Sequence, residues 1–184
     1  CLGELVQVPQ LAQRQPEHTF LDFEGEPNLK AWARATNDNT VQSALELERG
    51  GHDGKGQCLR MSMQNLAGWN TYASPILEGM FAQGHALLCF WAKGDPQTSQ
   101  LSVEMNEADG SRWIAVVPLR TEWAYHVLTP DQFAYWPDSK TKDTRGRPGD
   151  RFNPVAANRI VMGLAQSHTT AVGGGPHTLW VDDF

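Results

Sequence analysis

The sequence predicts an all-β protein, a two-sheet antiparallel β-sandwich of the jelly-roll type. Three observations carry that expectation. Short runs rich in Val, Leu, Trp and Tyr recur between turn signals from Phe20 onward, the pattern of sandwiches and barrels. With 17 Gly and 11 Pro in 184 residues the chain is turn-rich, while helix-period apolar patterning is sparse. No repeat of roughly 20–50 residues is present, which argues against a solenoid or propeller.

Residues 1–18 carry Pro9, Pro16 and several Gln without periodicity and read as a lead-in or linker; residues 19–184 read as one β-sandwich domain. Strands are expected over 20–24 and 41–48, the second running into the glycine-rich turn Gly50-Gly51-His52-Asp53-Gly54-Lys55-Gly56 that feeds a strand over 57–63. Further strands are expected over 71–76 and 85–93. Those over 100–106 and 112–119 flank Ala108-Asp109-Gly110, and Asp-Gly between two strand-like runs marks a hairpin. Three more strands follow over 122–128, 159–165 and 177–183. One connection breaks the rhythm. Between Tyr135 and Pro154 five of the fifteen basic residues, Lys140, Lys142, Arg145, Arg147 and Arg151, alternate with Asp in a long loop that is either a solvated segment or a lip over a ligand.

Composition narrows the function classes. A formal charge of -6 argues against general nucleic-acid binding, which depends on clustered Lys and Arg. No apolar run approaches the roughly 20 residues of a membrane span, and no signal peptide is evident. Cys1, Cys58 and Cys89 lack metal-ligand spacing; Cys58 and Cys89 lie in strand-like runs as buried thiols or an inter-strand disulfide, and Cys1 is a chain boundary or the lipidated first residue of a lipoprotein. The six histidines form no metal box. Ser167-His168-Thr169-Thr170 lacks the setting of a nucleophile elbow, and Gly173-Gly174-Gly175-Pro176 has no following helix with which to hold phosphate. Glu104 and Asn106 share one strand face while Glu107 and Asp109 belong to the turn, so the two carboxylates that a glycosidase needs on one strand are missing.

Acidic side chains end two strands, in Phe20-Leu21-Asp22-Phe23-Glu24-Gly25-Glu26 and Leu179-Trp180-Val181-Asp182-Asp183-Phe184. If these strands are neighbours, Glu24 and Asp182 converge on a hard cation such as Ca²⁺, which takes six to eight oxygen ligands. Taken in order, Phe20-Leu21-Asp22-Phe23-Glu24-Gly25, His52-Asp53-Gly54-Lys55, Phe90-Trp91-Ala92-Lys93-Gly94, Glu122-Trp123, Phe133 and Leu179-Trp180-Val181-Asp182-Asp183 resemble the galactose-binding-like jelly rolls, especially the carbohydrate-binding modules of polysaccharide-degrading enzymes. The resemblance implies a structural Ca²⁺ held by side-chain oxygens of Glu24 and Asp182 and by backbone carbonyls of the turn from Asp53 to Lys55, with Glu26 or Asp183 as substitutes. It also implies a non-catalytic, polysaccharide-targeting module, extracellular, periplasmic or on the cell surface, working beside neighbouring domains of a larger exported protein. Two alternatives stay open: a polysaccharide lyase or glycoside hydrolase acting on an acidic glycan through His126, Tyr125 and the basic loop, and a structural jelly roll that binds no sugar.

A fold of this kind names no ligand, so the binding argument rests on aromatics. Seven Trp are present, and an indole face matches the apolar C–H face of a sugar ring while planar polar groups take its hydroxyls. Trp69 and Tyr72, near Asn65 and Asn70, Arg112 with Trp113 just past the hairpin, and Trp136 at the mouth of the basic loop are the candidate carbohydrate-binding residues. Phe90, Trp123 and Trp180 are expected in the core.

Overall fold

The computed structural model describes residues 18–81 and 84–184. Among the described residues there are eleven strands: β1 (Ala33–Thr36), β2 (Ser43–Arg49), β3 (Gln57–Met63), β4 (Trp69–Ala73), β5 (Leu88–Gly94), β6 (Gln100–Glu107), β7 (Arg112–Pro118), β8 (Ala124–Leu128), β9 (Ala134–Tyr135), β10 (Ala157–Ala165) and β11 (His177–Asp182). One sheet has the order β1-β4-β10-β6-β7-β9 and the other β2-β3-β11-β5-β8, and every pairing is antiparallel. This is the two-sheet sandwich that the sequence predicts. No α-helix is found among the described residues.

Alternation decides which side chains enter the core. On β6, Leu101, Val103 and Met105 are buried in the shared apolar cluster, so Ser102, Glu104 and Asn106 point to the other face of the sheet. The facing sheet contributes Leu59, Met61, Phe90, Leu179 and Val181. The β6–β7 hairpin closes through Asp109 and Gly110: Gly110 has φ +90°, and Asp109 Oδ1 accepts a hydrogen bond from Ser111 N at 2.8 Å.

The predicted strand over 20–24 is not one. Phe23 has φ 56° and Asp22 Oδ1 accepts from Glu24 N, so the chain bends where a strand would stay extended. The segment still lies beside the chain's end, because Phe20 N and Leu21 N both donate to Phe184 O and Phe184 N donates to Leu21 O. Strands β1 and β9 are additions. Ala33-Arg34-Ala35-Thr36 carries little strand propensity and pairs only as an edge, and β9 is two residues long. The lead-in expected over residues 1–18, with Cys1, lies outside the described residues except for His18. Cys58 and Cys89 are free. They sit on β3 and β5 with β11 between and are offset by about two residues in register, more than about 10 Å apart and beyond the reach of a disulfide. Burial pushes the Cys58 thiol up to about 11.

The long basic connection is a folded flap. Arg145 Nη1 donates to Glu107 Oε2 at 2.7 Å and to Asp109 Oδ2 at 2.8 Å, its Nε donates to Asp150 Oδ2 at 2.9 Å, and its guanidinium lies 5.5 Å from the Trp113 ring centroid. Ser139 Oγ accepts from Arg112 N, and Thr141 Oγ1 shares a hydrogen bond with Ser111 Oγ at 2.8 Å. The flap is therefore tied to the β6–β7 hairpin, and this places Trp136 over the edge of the six-stranded sheet.

Candidate functional site

Strand register places four side chains in one row across the outer face of the six-stranded sheet. Arg159 on β10 pairs with Asn106 on β6, Asn106 pairs with Arg112 on β7, and Trp136, just past β9, donates its backbone N–H to Arg112 O at 2.8 Å. Each is the outward neighbour of an inward side chain: Ile160, Met105, Trp113 and Tyr135 pack in or against the core. Four adjacent strands about 4.8 Å apart make a band of roughly 14 Å.

Within the band Arg112 and Asn106 are locked through Glu104. Arg112 Nε and Nη2 meet Glu104 Oε1 and Oε2 at 2.7 and 2.8 Å, a bidentate pair, and Asn106 Nδ2 donates to Glu104 Oε1 at 2.6 Å. The Glu104 hydrogen bonds raise the Arg112 pKa above its ordinary value, and the group stays charged. The Trp136 and His168 rings meet edge to face with centroids 4.6 Å apart, which fixes the indole's orientation. Burial lowers the His168 pKa, so its ring is neutral at pH 7. His168 Nδ1 is 2.8 Å from Ser167 Oγ. An aromatic ring beside rigid planar hydrogen-bonding groups suits a pyranose, which presents apolar C–H faces and a rim of hydroxyls.

The structure sorts the five predicted sugar contacts. Trp136 and Arg112 belong to the band. Trp69 is 47% exposed at the start of β4, on the same outer face as Ala165 with which it pairs. Tyr72 and Trp113 are corrections: at 6% and 2% exposure both lie in the core and cannot stack on a ligand. The hairpin register explains Trp113, because closing at Asp109-Gly110 pairs it with Met105 on the apolar face. Tyr72 turns inward and its hydroxyl bonds Ser43 Oγ at 2.8 Å. Phe90 is in the core as expected, whereas Trp123 and Trp180 lie on the outer face of the five-stranded sheet and flank Lys93 Nζ, each ring centroid 4.8 Å away. That face also exposes Tyr125 and Val127 beside a cavity of about 820 Å³ lined by Trp91, Leu88, Phe81 and Asp183. Glu104 and Asn106 were legible as one strand face; Arg159 had no local signal.

The acidic clasp gathers around the 50–56 turn. A Cβ at Gly51 would come 2.5 Å from Asp182 Oδ2 and 2.9 Å from Lys55 O, so glycine is required for these two oxygens to approach. Glu24 packs its carboxylate against Gly56, where a Cβ would collide with it, and Glu24 Oε1 accepts from Gln57 N at 2.9 Å. Asp53 turns its carboxylate to its own loop, accepting from Lys55 N at 2.8 Å, so its side chain stays out of the cluster. Asp182 is 3% exposed; its Oδ2 accepts from His52 N at 2.9 Å and lies 3.1 Å from His52 Nδ1, and Asp183 Oδ2 lies 3.4 Å from the same nitrogen. Burial and then Asp182 raise the Asp183 pKa against the lowering effect of His52, with smaller contributions from Asp22 and Glu24; Asp182 and Asp183 are the two carboxylates that meet the imidazole. An oxygen-rich cluster with excess negative charge fits a hard divalent cation. His52 is the member that sequence reading did not include.

The residues of the enzyme alternative are placed otherwise. Glu104 and Glu107 are each ion-paired to an arginine. His126 faces inward, its ring stacked on Phe90 with centroids 5.2 Å apart, and burial lowers its pKa.

No protein-family model matches the sequence, and no curated protein matches it at a significant level. Solved structures do match. The family 11 carbohydrate-binding module of the cellulosomal cellulase Lic26A-Cel5E of Clostridium thermocellum is similar with a TM-score of 0.65 at 13% identity, covering 91% of this chain and 92% of that one. The family 11 module from Clostridium thermocellum in complex with a β-1,3-1,4-mixed-linked tetrasaccharide gives a TM-score of 0.63 at 13% identity, with 90% and 91% covered. The family 30 module of the Clostridium thermocellum cellulase Cel9D-Cel44B gives 0.55 at 14% identity, with 83% and 88% covered. The protein therefore has the jelly-roll fold of these carbohydrate-binding modules across nearly all of the described chain.

Proposed function

We propose that this domain is a non-catalytic carbohydrate-binding module that holds a neighbouring domain of a larger, exported protein on polysaccharide. The observation that carries the reading is the row Arg159, Asn106, Arg112 and Trp136 on the outer face of one sheet. The fold supports it, since a similar module is known in complex with a mixed-linked tetrasaccharide. The ion-paired states of Glu104 and Glu107 and the inward turn of His126 support a binding role over a catalytic one. Affinity electrophoresis through gels containing a mixed-linkage β-glucan, a polygalacturonate or a carrageenan tests it, with product analysis alongside. Retardation without release of sugar is expected. Release of oligosaccharide would favour a lyase or hydrolase, and neither effect would leave a structural jelly roll.

The clasp is read as a structural Ca²⁺ site. Glu24, Asp182 and the Lys55 carbonyl would hold the ion, with Asp183 as a further donor. The ion would offset the crowded carboxylates and tie residues 20–24, the 50–56 turn and β11 together. A ligand present at 100 times its Kd stabilises the folded state by about 2.7 kcal/mol, and 1 kcal/mol moves Tm by about 2–4 °C in a domain of this size. Melting in EDTA should therefore fall by about 5–10 °C and recover with excess CaCl₂, and Asp182→Asn should abolish the difference. Identical melts with and without EDTA would remove calcium from the account.

A further inference from the structure

Of the described arginines that are not fully exposed, Arg34, Arg60, Arg112, Arg145 and Arg159, four have acceptors. Arg34 donates to Asn70 Oδ1 and Val41 O, Arg60 pairs with Glu46 and Glu48, Arg112 with Glu104, and Arg145 with Glu107, Asp109 and Asp150. Arg159 has none among the described residues: it forms no ion pair there, and its Nε is shut off from solvent without a hydrogen-bond partner. A buried guanidinium nitrogen without an acceptor leaves hydrogen-bonding capacity on a half-buried cation unused, and an anion or acceptor from elsewhere can take it up.

The described residues around Arg159 supply no such partner. Glu104 is the carboxylate of the adjacent strand, and its oxygens are already taken by the two Arg112 donors and by Asn106. Asn106, the cross-strand partner of Arg159, carries no charge. Arg112 and Glu104 cancel, so within the row itself Arg159 carries the unmatched positive charge, on a protein whose formal charge is -6. At the other end of the row the flap, joined to Arg112 through Ser139 and Trp136, exposes Lys140 and Lys142, with Asp138 as a second acid, after Glu104, that acts on Arg112. A polyanion would not be drawn to this protein by its overall field; it would have to be read locally, by a geometry-specific pair.

We propose that the domain recognises an anionic polysaccharide, and that Arg159 takes a carboxylate or sulfate of a sugar unit lying along Asn106 and Arg112 toward Trp136. This rests on the reading of that face as the glycan site. Arginine suits the role, since its planar fork meets carboxylate and sulfate oxygens in pairs.

The test uses matched polymers that differ in charge: polygalacturonate against its fully methyl-esterified form for carboxylate, and carrageenan against agarose for sulfate. Mixed-linkage β-glucan serves as a neutral reference. The acidic member of at least one pair should bind at least tenfold more tightly than its neutral partner. Arg159→Gln should remove that preference at unchanged Tm and far-UV circular dichroism, and Arg159→Lys, which keeps the charge but not the fork, should retain part of it. Which pair responds identifies the anion. Equal binding within both pairs, or an anionic preference that survives Arg159→Gln, overturns the assignment while leaving a glycan-binding module in place. No retardation by any of the five polymers overturns the glycan reading and this inference with it. If Arg159→Gln melts lower than the wild type, the comparison within each pair, made on the wild-type protein, still decides the question.

Discussion

Trp136→Ala is expected to weaken polysaccharide binding by about 30-fold or more with the melting temperature nearly unchanged. A tryptophan that anchors a binding surface contributes about 2 kcal/mol or more when truncated, and each 1.4 kcal/mol is tenfold in affinity. Trp136 qualifies because it is oriented by His168 and stands beside the Arg112–Glu104 pair. It lies in the flap outside the core cluster, so its loss leaves the sandwich packed. Arg112→Lys should also weaken binding while keeping a charge near Glu104, because a lysine cannot reproduce the bidentate contact. Tyr72→Phe is the informative control: the hydroxyl it loses bonds Ser43 inside the protein, so affinity should not change. Isothermal titration of the three variants against the best polymer from the electrophoresis screen measures this, and full affinity in Trp136→Ala would move the site off this face.

Arg145→Met is expected to lower stability by about 3 kcal/mol, which for a domain of this size is about 6–12 °C in Tm. Its partner Glu107 has a side chain only 1% exposed, so removing the guanidinium strands a carboxylate away from water. The low end of the usual range for a broken buried pair applies, because Glu107 Oε1 keeps a hydrogen bond from Asn153 N and Arg145 is itself partly exposed. The double variant Glu107→Gln with Arg145→Met should recover much of the loss, since no buried charge is then left unmatched. The Arg145 cluster also carries a pH signature. The Arg145 hydrogen bond is the largest influence on the Asp150 pKa and lowers it, and the Asp109 pKa is lowered as well against the opposing effect of burial. A carboxylate whose pKa is depressed on folding contributes stability that is fully present above its unfolded value, about 3.9, and is lost as pH falls through the folded one. Acid melts of the wild type should therefore steepen below about pH 4, and those of Arg145→Met should be flatter. Parallel acid curves for the two proteins would remove the Arg145 cluster as the source of the acid sensitivity.

These two expectations draw on different depths of the sequence. The hairpin through Asp109-Gly110 is written locally: its turn residues fix the register, and the register then puts Leu101, Val103 and Met105 on one face and Ser102, Glu104 and Asn106 on the other. Trp113 was legible by the same route, since a chain that turns at Gly110 sets it opposite Met105; reading its aromatic ring as a ligand platform ignored the pleat. Arg145, by contrast, is one of five basic residues in a loop, and nothing local separates it from Lys140 or Arg147. Only the fold brings Glu107 and Asp109 against it, 38 and 36 residues away in sequence.

The sequence by itself determined the sandwich, because period-2 apolar alternation and turn chemistry are properties of a few consecutive residues. That acids gather at the glycine-rich turn was only implied by the resemblance; the fold is what sets Asp182 and the Lys55 carbonyl against Gly51 and Glu24 against Gly56. The tertiary structure alone decided which residues make up the site. Arg159 and Asn106 become neighbours through the β10–β6 pairing, and Trp136 reaches Arg112 through a flap anchored elsewhere. Such contacts depend on strand order across the sheet, which is fixed by burying both inner faces at once and leaves no trace in any short stretch of chain.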